Sequence, residues 1–322
     1  MELKDIKKVA CIGSGLIGSG WATSFLMNGY DVILYDIKDE LLELSKKRII
    51  NNLSIFIDKN IITNADAEEM VAHAHYTTDL ETAVRDAHFI QESGPENYGI
   101  KQSVLKDIEK FTDESTIIAS STSGLLITEI AKYAEHPERC LGAHPYNPPH
   151  LIPLVEMSKG EKTSQEVVEL AYSFYKKNGK EPIVLQKEAL GFIANRLQAV
   201  LYREIVDLVL KGVCSVEDAD KACLFGPGLR YGIMGPNMIF HLGGGEKGIK
   251  GMMENLAIPA FALWLPDVAK WEKIPPEWPD IAQKGIVEAM ANRDPYSGNT
   301  NEEIVKFRDD MLISLLKLHN KL

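Results

Sequence analysis

Residues 142–156 of this 322-residue chain read GAHPYNPPHLIPLVE. The stretch carries His144 near its start and closes on Glu156 after an apolar run. A carboxylate set among apolar residues needs a partner, because an unpaired buried charge is costly. Bonded to one imidazole nitrogen, it fixes the tautomer and raises the basicity of the other nitrogen. A histidine prepared in this way can take a proton from an alcohol. The prolines exclude a helix, since proline lacks the amide donor and clashes with the preceding turn. The stretch is therefore a rigid loop that presents His144 beside Glu156, or a stiff surface connection. His150, deeper in the proline run, has no comparable placement.

A second constellation is CIGSGLIG, which sets Gly13, Gly15 and Gly18 in GxGxxG spacing. Gly13 permits a tight turn out of a strand, Gly15 lets backbone approach a pyrophosphate, and Gly18 lets a helix pack close to a sheet. Phosphates would then sit at a helix N-terminus, beside Leu16 and Ile17, where free amides and the helix dipole favour negative charge. The next apolar run ends in Asp36. A carboxylate there bonds both ribose hydroxyls and repels a 2′-phosphate, so the expected cofactor is NAD rather than NADP.

Other polar residues admit two readings. Ser123, in SSTSGL, lies just beyond an apolar run, where a ligand would be, or caps a helix. Asn195 lies among apolar residues of a long helical stretch; its amide must find partners, which are structural or catalytic. Glu96 and Lys101, in PENYGIK, read as a solvated pair flanking a helix start. No metal site is expected: His73 and His75 are too close in sequence to share a helix face, and HExxH does not occur.

These residues need a scaffold. Strand-like apolar runs at 9–13, 32–36, 89–92, 116–120 and 140–144 alternate with helix-like stretches at 16–28, 39–58, 98–111 and 128–133. Such alternation means βαβ units and a parallel sheet with helices on both faces. His144 and Ser123 then fall at strand carboxyl ends, where ligands bind in open α/β sheets. After a further strand candidate at 182–185 the character changes. Leu190, Ile193, Leu197, Val200, Leu201, Ile205 and Leu208 recur at helical spacing. The expected fold class is α/β: a Rossmann-type doubly wound NAD-binding domain over 1–187, then an all-α substrate and dimerisation domain over 188–322. Trp264, Trp271 and Trp278 read as packing residues of that second domain or its subunit interface.

Composition excludes several classes. Lys and Arg total 35 against 46 Asp and Glu, a net charge of −11 with no dense basic run, so nucleic acid is not the expected partner. No apolar run approaches the length of a membrane span. Cys11, Cys140, Cys214 and Cys223 form no CxxC pair and read as reduced thiols of a cytoplasmic protein.

Taken together, GSGLIGSGWA, LYDI, ESGPEN, SSTSGL, AHPYNPPHLIPLVE, EALGFIANRLQ and GPGLRYGIMGP resemble the 3-hydroxyacyl-CoA dehydrogenase family over nearly the whole chain. Within it they are most similar to the branch containing lambda-crystallin and L-carnitine dehydrogenase. The resemblance implies that His144 is the catalytic base, Glu156 its orienting partner, and Ser123 and Asn195 further active-site residues. It implies that Glu96 and Lys101 contact the nicotinamide half of NAD, that the substrate has the L (3S) configuration, and that the second domain forms a homodimer.

Two substrate readings remain. Arg230, in GPGLRYGIMGP, is shared by the lambda-crystallin and carnitine branch, and a guanidinium suits a planar carboxylate. A small free 3-hydroxy acid such as L-gulonate or carnitine is therefore expected, with Arg230 as its receptor within the chain or across a dimer interface. Glu217 and Glu246 are alternative partners for this arginine. Against that stand Lys46, Lys47, Arg48 and Lys59, at a position where relatives that use CoA hold it, so a short-chain 3-hydroxyacyl-CoA is the alternative. His241 lines the substrate pocket or is structural. A non-catalytic, crystallin-like NAD-binding protein is the reading from another class.

Overall fold

A computed structural model gives the architecture and describes residues 2–322. Eight strands form one sheet: β1 Lys8–Ile12, β2 Asp31–Tyr35, β3 Ala74–Thr77, β4 Phe89–Glu92, β5 Ile117–Ser120, β6 Cys140–Pro145, β7 Leu154–Lys159 and β8 Glu181–Val184. Their order is β3-β2-β1-β4-β5-β6-β7-β8. All neighbours run parallel except β6 and β7, which are antiparallel. The sheet is thus mixed where the sequence led to a parallel one. Two strands were also not foreseen: β3, whose AHYT carries no apolar run, and β7, whose prolines upstream read as loop.

Alternation along the strands assigns the two faces. Val9, Cys11, Phe89, Ile117, Leu141, Val155 and Met157 point into one core with Trp21, Phe25 and Phe174. Ala10, Ile12, Ile90, Ile118 and Cys140 point into another, against Leu105, Ile108, Ile127 and Ile130. Helices therefore cover both faces, as the βαβ pattern requires. By the same parity, Glu92, His144 and Glu156 share the face of the second core.

The chain divides into two compact units. One runs to Arg196 and includes Leu312–Leu322; the other is Leu197–Met311. The sequence reading placed a single boundary at 187/188 and gave no residues of the chain's end to the sheet-bearing unit. The returning segment has a packing reason: Ile313 is buried against Phe56 and Leu151, and Lys321 pairs with Glu181.

The second unit is helical, with Val216–Cys223, Pro236–Gly243, Ile258–Trp264 and Trp278–Ala291 among its helices. Its small core is Val206, Val216 and Trp278, and the Trp278 ring nitrogen donates to the Tyr202 hydroxyl at 3.0 Å. Large apolar side chains stay exposed on it, among them Phe225, Leu263 and Trp264. Among the described residues no helix is long and apolar enough to cross a membrane.

Candidate active site

The proline-rich stretch is a loop between two paired strands. β6 ends at Pro145 and β7 begins at Leu154, and their register sets His144 opposite Glu156. Side chains directly opposite in an antiparallel pair lie on the same face and within reach of each other. Nδ1 of His144 lies 2.9 Å from Oε2 of Glu156. His144 is 6% exposed and Glu156 fully buried.

The second carboxylate oxygen is also engaged. Oε1 of Glu156 accepts the backbone N–H groups of Ile193 and Ala194, each at 2.9 Å. These amides sit at the start of helix Ala194–Leu210, whose free N–H groups and dipole favour a negative charge. The turn that aims them passes through Gly191 at φ 73° and Phe192 at φ 50°. A left-handed phenylalanine is uncommon, and burial of its ring beside His144 holds it there. Burial pushes the Glu156 carboxyl up, but the bonds from His144, Ala194 and Ile193 prevail and hold it below its ordinary value. With this carboxylate ionised, Nδ1 of His144 carries the proton and donates, which leaves Nε2 as the acceptor.

Ser123 and Asn195 meet through a close backbone crossing. The Gly191 N–H donates to the Gly124 carbonyl at 3.1 Å. A Cβ on Gly124 would fall 2.5 Å from the Gly191 nitrogen, so neither chain could come so near with a side chain at Gly124. The crossing brings Nδ2 of Asn195 to 2.8 Å from the Ser123 carbonyl oxygen, to which it donates. Oδ1 of Asn195 accepts from the Tyr146 hydroxyl at 3.2 Å.

Glu96 holds the same loop from its other side. Its Oε1 accepts from the Thr122 hydroxyl at 2.7 Å and the Ser123 N–H at 2.8 Å. Lys101 departs from the solvated pair read in the sequence. Its amine is buried, donates to both oxygens of Glu92 at 3.0 Å, and reaches the Gly94 carbonyl at 3.2 Å. Glu96 lies further off, at 3.8 Å. Glu92 also accepts from Ser120 at 2.6 Å. Glu92 and Tyr146 escaped the sequence reading. The signal for Glu92 was a lone carboxylate closing the apolar run of β4; Tyr146 had only its nearness to His144.

The glycine turn has the shape a dinucleotide requires. Gly13 has φ 93°, and a Cβ on Gly18 would lie 1.8 Å from the Gly13 carbonyl oxygen. Gly15 caps helix Leu16–Leu26, and a Cβ there meets nothing within 4 Å, so the space above the helix start is open for phosphate. Leu16 is exposed and Ile17 half-buried beside it. Asp36 follows β2; its Oδ2 accepts from the Ser14 N–H at 2.8 Å and the Ser14 hydroxyl at 2.7 Å, its Oδ1 accepts from the Ile37 N–H at 2.8 Å, and Oδ1 keeps a lone pair for a ribose hydroxyl. Arg48 donates to the Ser14 carbonyl at 3.4 Å, while Lys46 and Lys47 are exposed.

In the second unit, Arg230 is exposed and forms no ion pair among the described residues; Glu217 pairs instead with Lys221. Nδ1 of His241 accepts the Ile249 N–H at 3.4 Å. His150 packs against Phe56. Among the described residues no cluster of three or more His, Cys, Asp or Glu could hold a metal ion.

Residues 8–189 match the family profile described as 3-hydroxyacyl-CoA dehydrogenase, NAD binding domain, and residues 191–277 match its C-terminal domain. An L-carnitine dehydrogenase of Oceanobacillus iheyensis is 38% identical over 97% of this chain and 98% of its own. Among solved structures, a 5-formyl-3-hydroxy-2-methylpyridine 4-carboxylic acid 5-dehydrogenase, an NAD+-dependent dismutase, is similar with TM-score 0.78 and 26% identity, covering 98% of this chain and 97% of the other. The 3-hydroxybutyryl-CoA dehydrogenase of Escherichia coli K12 is similar with TM-score 0.66 and 28% identity, covering 77% of this chain and 52% of the other.

Proposed function

From the premise that this chain belongs to the 3-hydroxyacyl-CoA dehydrogenase family and is an NAD-dependent oxidoreductase, we propose that it interconverts a free L-3-hydroxy acid and its 3-keto acid. The observation that carries the chemistry is the 2.9 Å contact between Nδ1 of His144 and Glu156. Nε2 of His144 takes the hydroxyl proton in one direction and returns it in the other. Glu156 holds the ring and stabilises the imidazolium that forms. Ser123 and Asn195 orient the reacting oxygen and offset its developing charge. NAD, when bound, supplies the hydride acceptor at its nicotinamide. The glycine turn, Leu16, Ile17 and Asp36 hold the adenosine and pyrophosphate. Glu96 serves the nicotinamide half, and Lys101 shapes that part of the cleft from behind through Glu92 and Gly94.

The choice of a free acid rests on two supports. The relative from Oceanobacillus iheyensis is a dehydrogenase of L-carnitine, itself a free 3-hydroxy acid. Arg230 is an exposed guanidinium with no ion pair among the described residues, and we assign it the substrate carboxylate. A short-chain (3S)-3-hydroxyacyl-CoA is the second reading, favoured by exposed Lys46 and Lys47 and by the likeness to 3-hydroxybutyryl-CoA dehydrogenase. NADH oxidation would be measured with dehydrocarnitine, acetoacetate, a 3-keto sugar acid and acetoacetyl-CoA. The free-acid reading expects turnover on one of the first three well above that on the thioester. Preference for the thioester overturns it. Tight NADH binding with no turnover on any of them favours a non-catalytic protein.

A homodimer through the second unit accounts for its exposed Phe225, Leu263 and Trp264, since large apolar patches mark interaction surfaces. Sedimentation as a monomer at micromolar concentration contradicts it. The four cysteines are free, which suits the reducing cytoplasm.

A further inference from the structure

Tyr146 follows His144 by one proline and lies half-buried just past the end of β6. Its ring meets the His144 ring edge-on, with centroids 5.6 Å apart. Its hydroxyl stands 3.2 Å from Oδ1 of Asn195. An amide oxygen only accepts, so the phenol is the donor in this contact. Burial, and then the charge of Glu156, hold the phenol above its ordinary value, so it keeps its proton well past neutral pH.

The other end of the same amide is fixed as well. Nδ2 of Asn195 donates to the Ser123 carbonyl oxygen at 2.8 Å. A flipped amide would set two oxygens face to face there, with no hydrogen between them. The carboxamide is thus gripped at both ends, and one N–H of Nδ2 is left over from the bond to Ser123. A phenylalanine at 146 would preserve the ring contact with His144. The hydroxyl is what the amide requires.

We propose that Tyr146 is a positioning residue, whose hydroxyl locks the Asn195 carboxamide so that its remaining N–H serves the substrate oxygen on which His144 acts. This rests on the functional reading above. It separates two effects of one side chain: the ring shapes the wall beside the imidazole, and the hydroxyl orients the amide.

The test uses Tyr146→Phe, Asn195→Ala and the double variant in the full-length protein, assayed on the best substrate of the panel above. Loss of one hydrogen bond of this kind is expected to lower kcat roughly 3- to 10-fold, with NADH affinity unchanged. Residues that act as a unit are non-additive. In the Asn195→Ala background, removal of the hydroxyl should therefore change kcat by less than about 1.5-fold. Wild-type kcat in Tyr146→Phe, or a full and additive loss in both backgrounds, overturns the proposal.

A second readout does not depend on turnover. In protein labelled with 15N-asparagine, the Asn195 side-chain amide is identified by its disappearance in Asn195→Ala. Tyr146→Phe should shift or broaden that signal, and the backbone amides of unrelated asparagines should stay in place. An unmoved Asn195 signal overturns the lock whether or not a substrate has been found. A protein that turns over no 3-hydroxy acid yet shows the shift retains the lock and loses only the functional reading.

Discussion

Glu156 accepts three hydrogen bonds, and the one to Nδ1 of His144 spans 2.9 Å between directly opposite residues of β6 and β7. The strand register makes the pair, and the helix-start amides hold it. A one-residue slip would send one side chain to the other face of the sheet.

Glu156→Gln keeps the shape and removes the charge. A glutamine can present its NH2 to the imidazole and stabilise the wrong tautomer. General acid–base help is worth roughly 10²–10⁴-fold, so kcat should fall by about 100-fold or more. NADH affinity should stay within about twofold, since the pair lies apart from the glycine turn. Steady-state kinetics with fluorescence titration of NADH check both.

The glycine turn separates a folding defect from a binding defect. An alanine Cβ at position 18 would lie 1.8 Å from the Gly13 carbonyl oxygen, whereas one at position 15 meets nothing within 4 Å. Gly15→Ala should therefore unfold at the wild-type temperature and bind NADH poorly, because the methyl enters the space left for pyrophosphate. Gly18→Ala should be destabilised even without cofactor. Thermal unfolding with and without NADH distinguishes the two.

Lys180 is a buried amine whose Nζ donates to the Pro149 carbonyl and lies over the Trp21 ring, and burial pulls it down to about 7. Its ordinary value is 10.5. Between these two values the unfolded chain binds a proton that the folded chain does not, so stability rises with pH across the window. Below about 7 the folded state bears the full cost of a buried charge. The difference in melting temperature, Lys180→Met minus wild type, should accordingly fall as pH rises from about 6 to 10. A difference that stays flat or climbs contradicts the assignment.

Glu92 and Lys101 form a buried pair, with side chains 6% and 1% exposed. Removing one partner of such a pair leaves an uncompensated charge and costs about 3–5 kcal/mol, while replacing both is often nearly neutral. Lys101→Met should lower the unfolding free energy by about 3 kcal/mol, with Glu92→Leu/Lys101→Met recovering much of that loss. Urea unfolding of the three proteins measures it. Equal loss in the single and double variants would show that packing rather than charge sets the effect.

The Rossmann strands were legible because apolar runs and helical periodicity alternate through the first half, and the glycine spacing marks the first turn. β3 was not legible because AHYT is short and polar and lies at the sheet edge. β7 was hidden by the prolines before it, although LIPLVE supplied the apolar run. His144 and Glu156 could be paired because a carboxylate after that run demanded a partner. The burial of Lys101 against Glu92 was not legible because Glu96 is its nearer acidic neighbour in sequence, while Glu92 faces it only once β4 and helix Tyr98–Glu109 pack. The Gly124–Gly191 crossing that seats Asn195 joins residues far apart in the chain, and no local pattern encodes it. The return of Leu312–Leu322 to the sheet-bearing unit has the same origin, in apolar side chains whose partners lie elsewhere.

Everything proposed about the reaction depends on His144 moving a proton. Single-turnover hydride transfer in His144→Ala, with NADH affinity measured on the same protein, tests that most directly. The expected result is unchanged NADH binding and hydride transfer slower by roughly 10²–10⁴-fold. Transfer at close to the wild-type rate would contradict it.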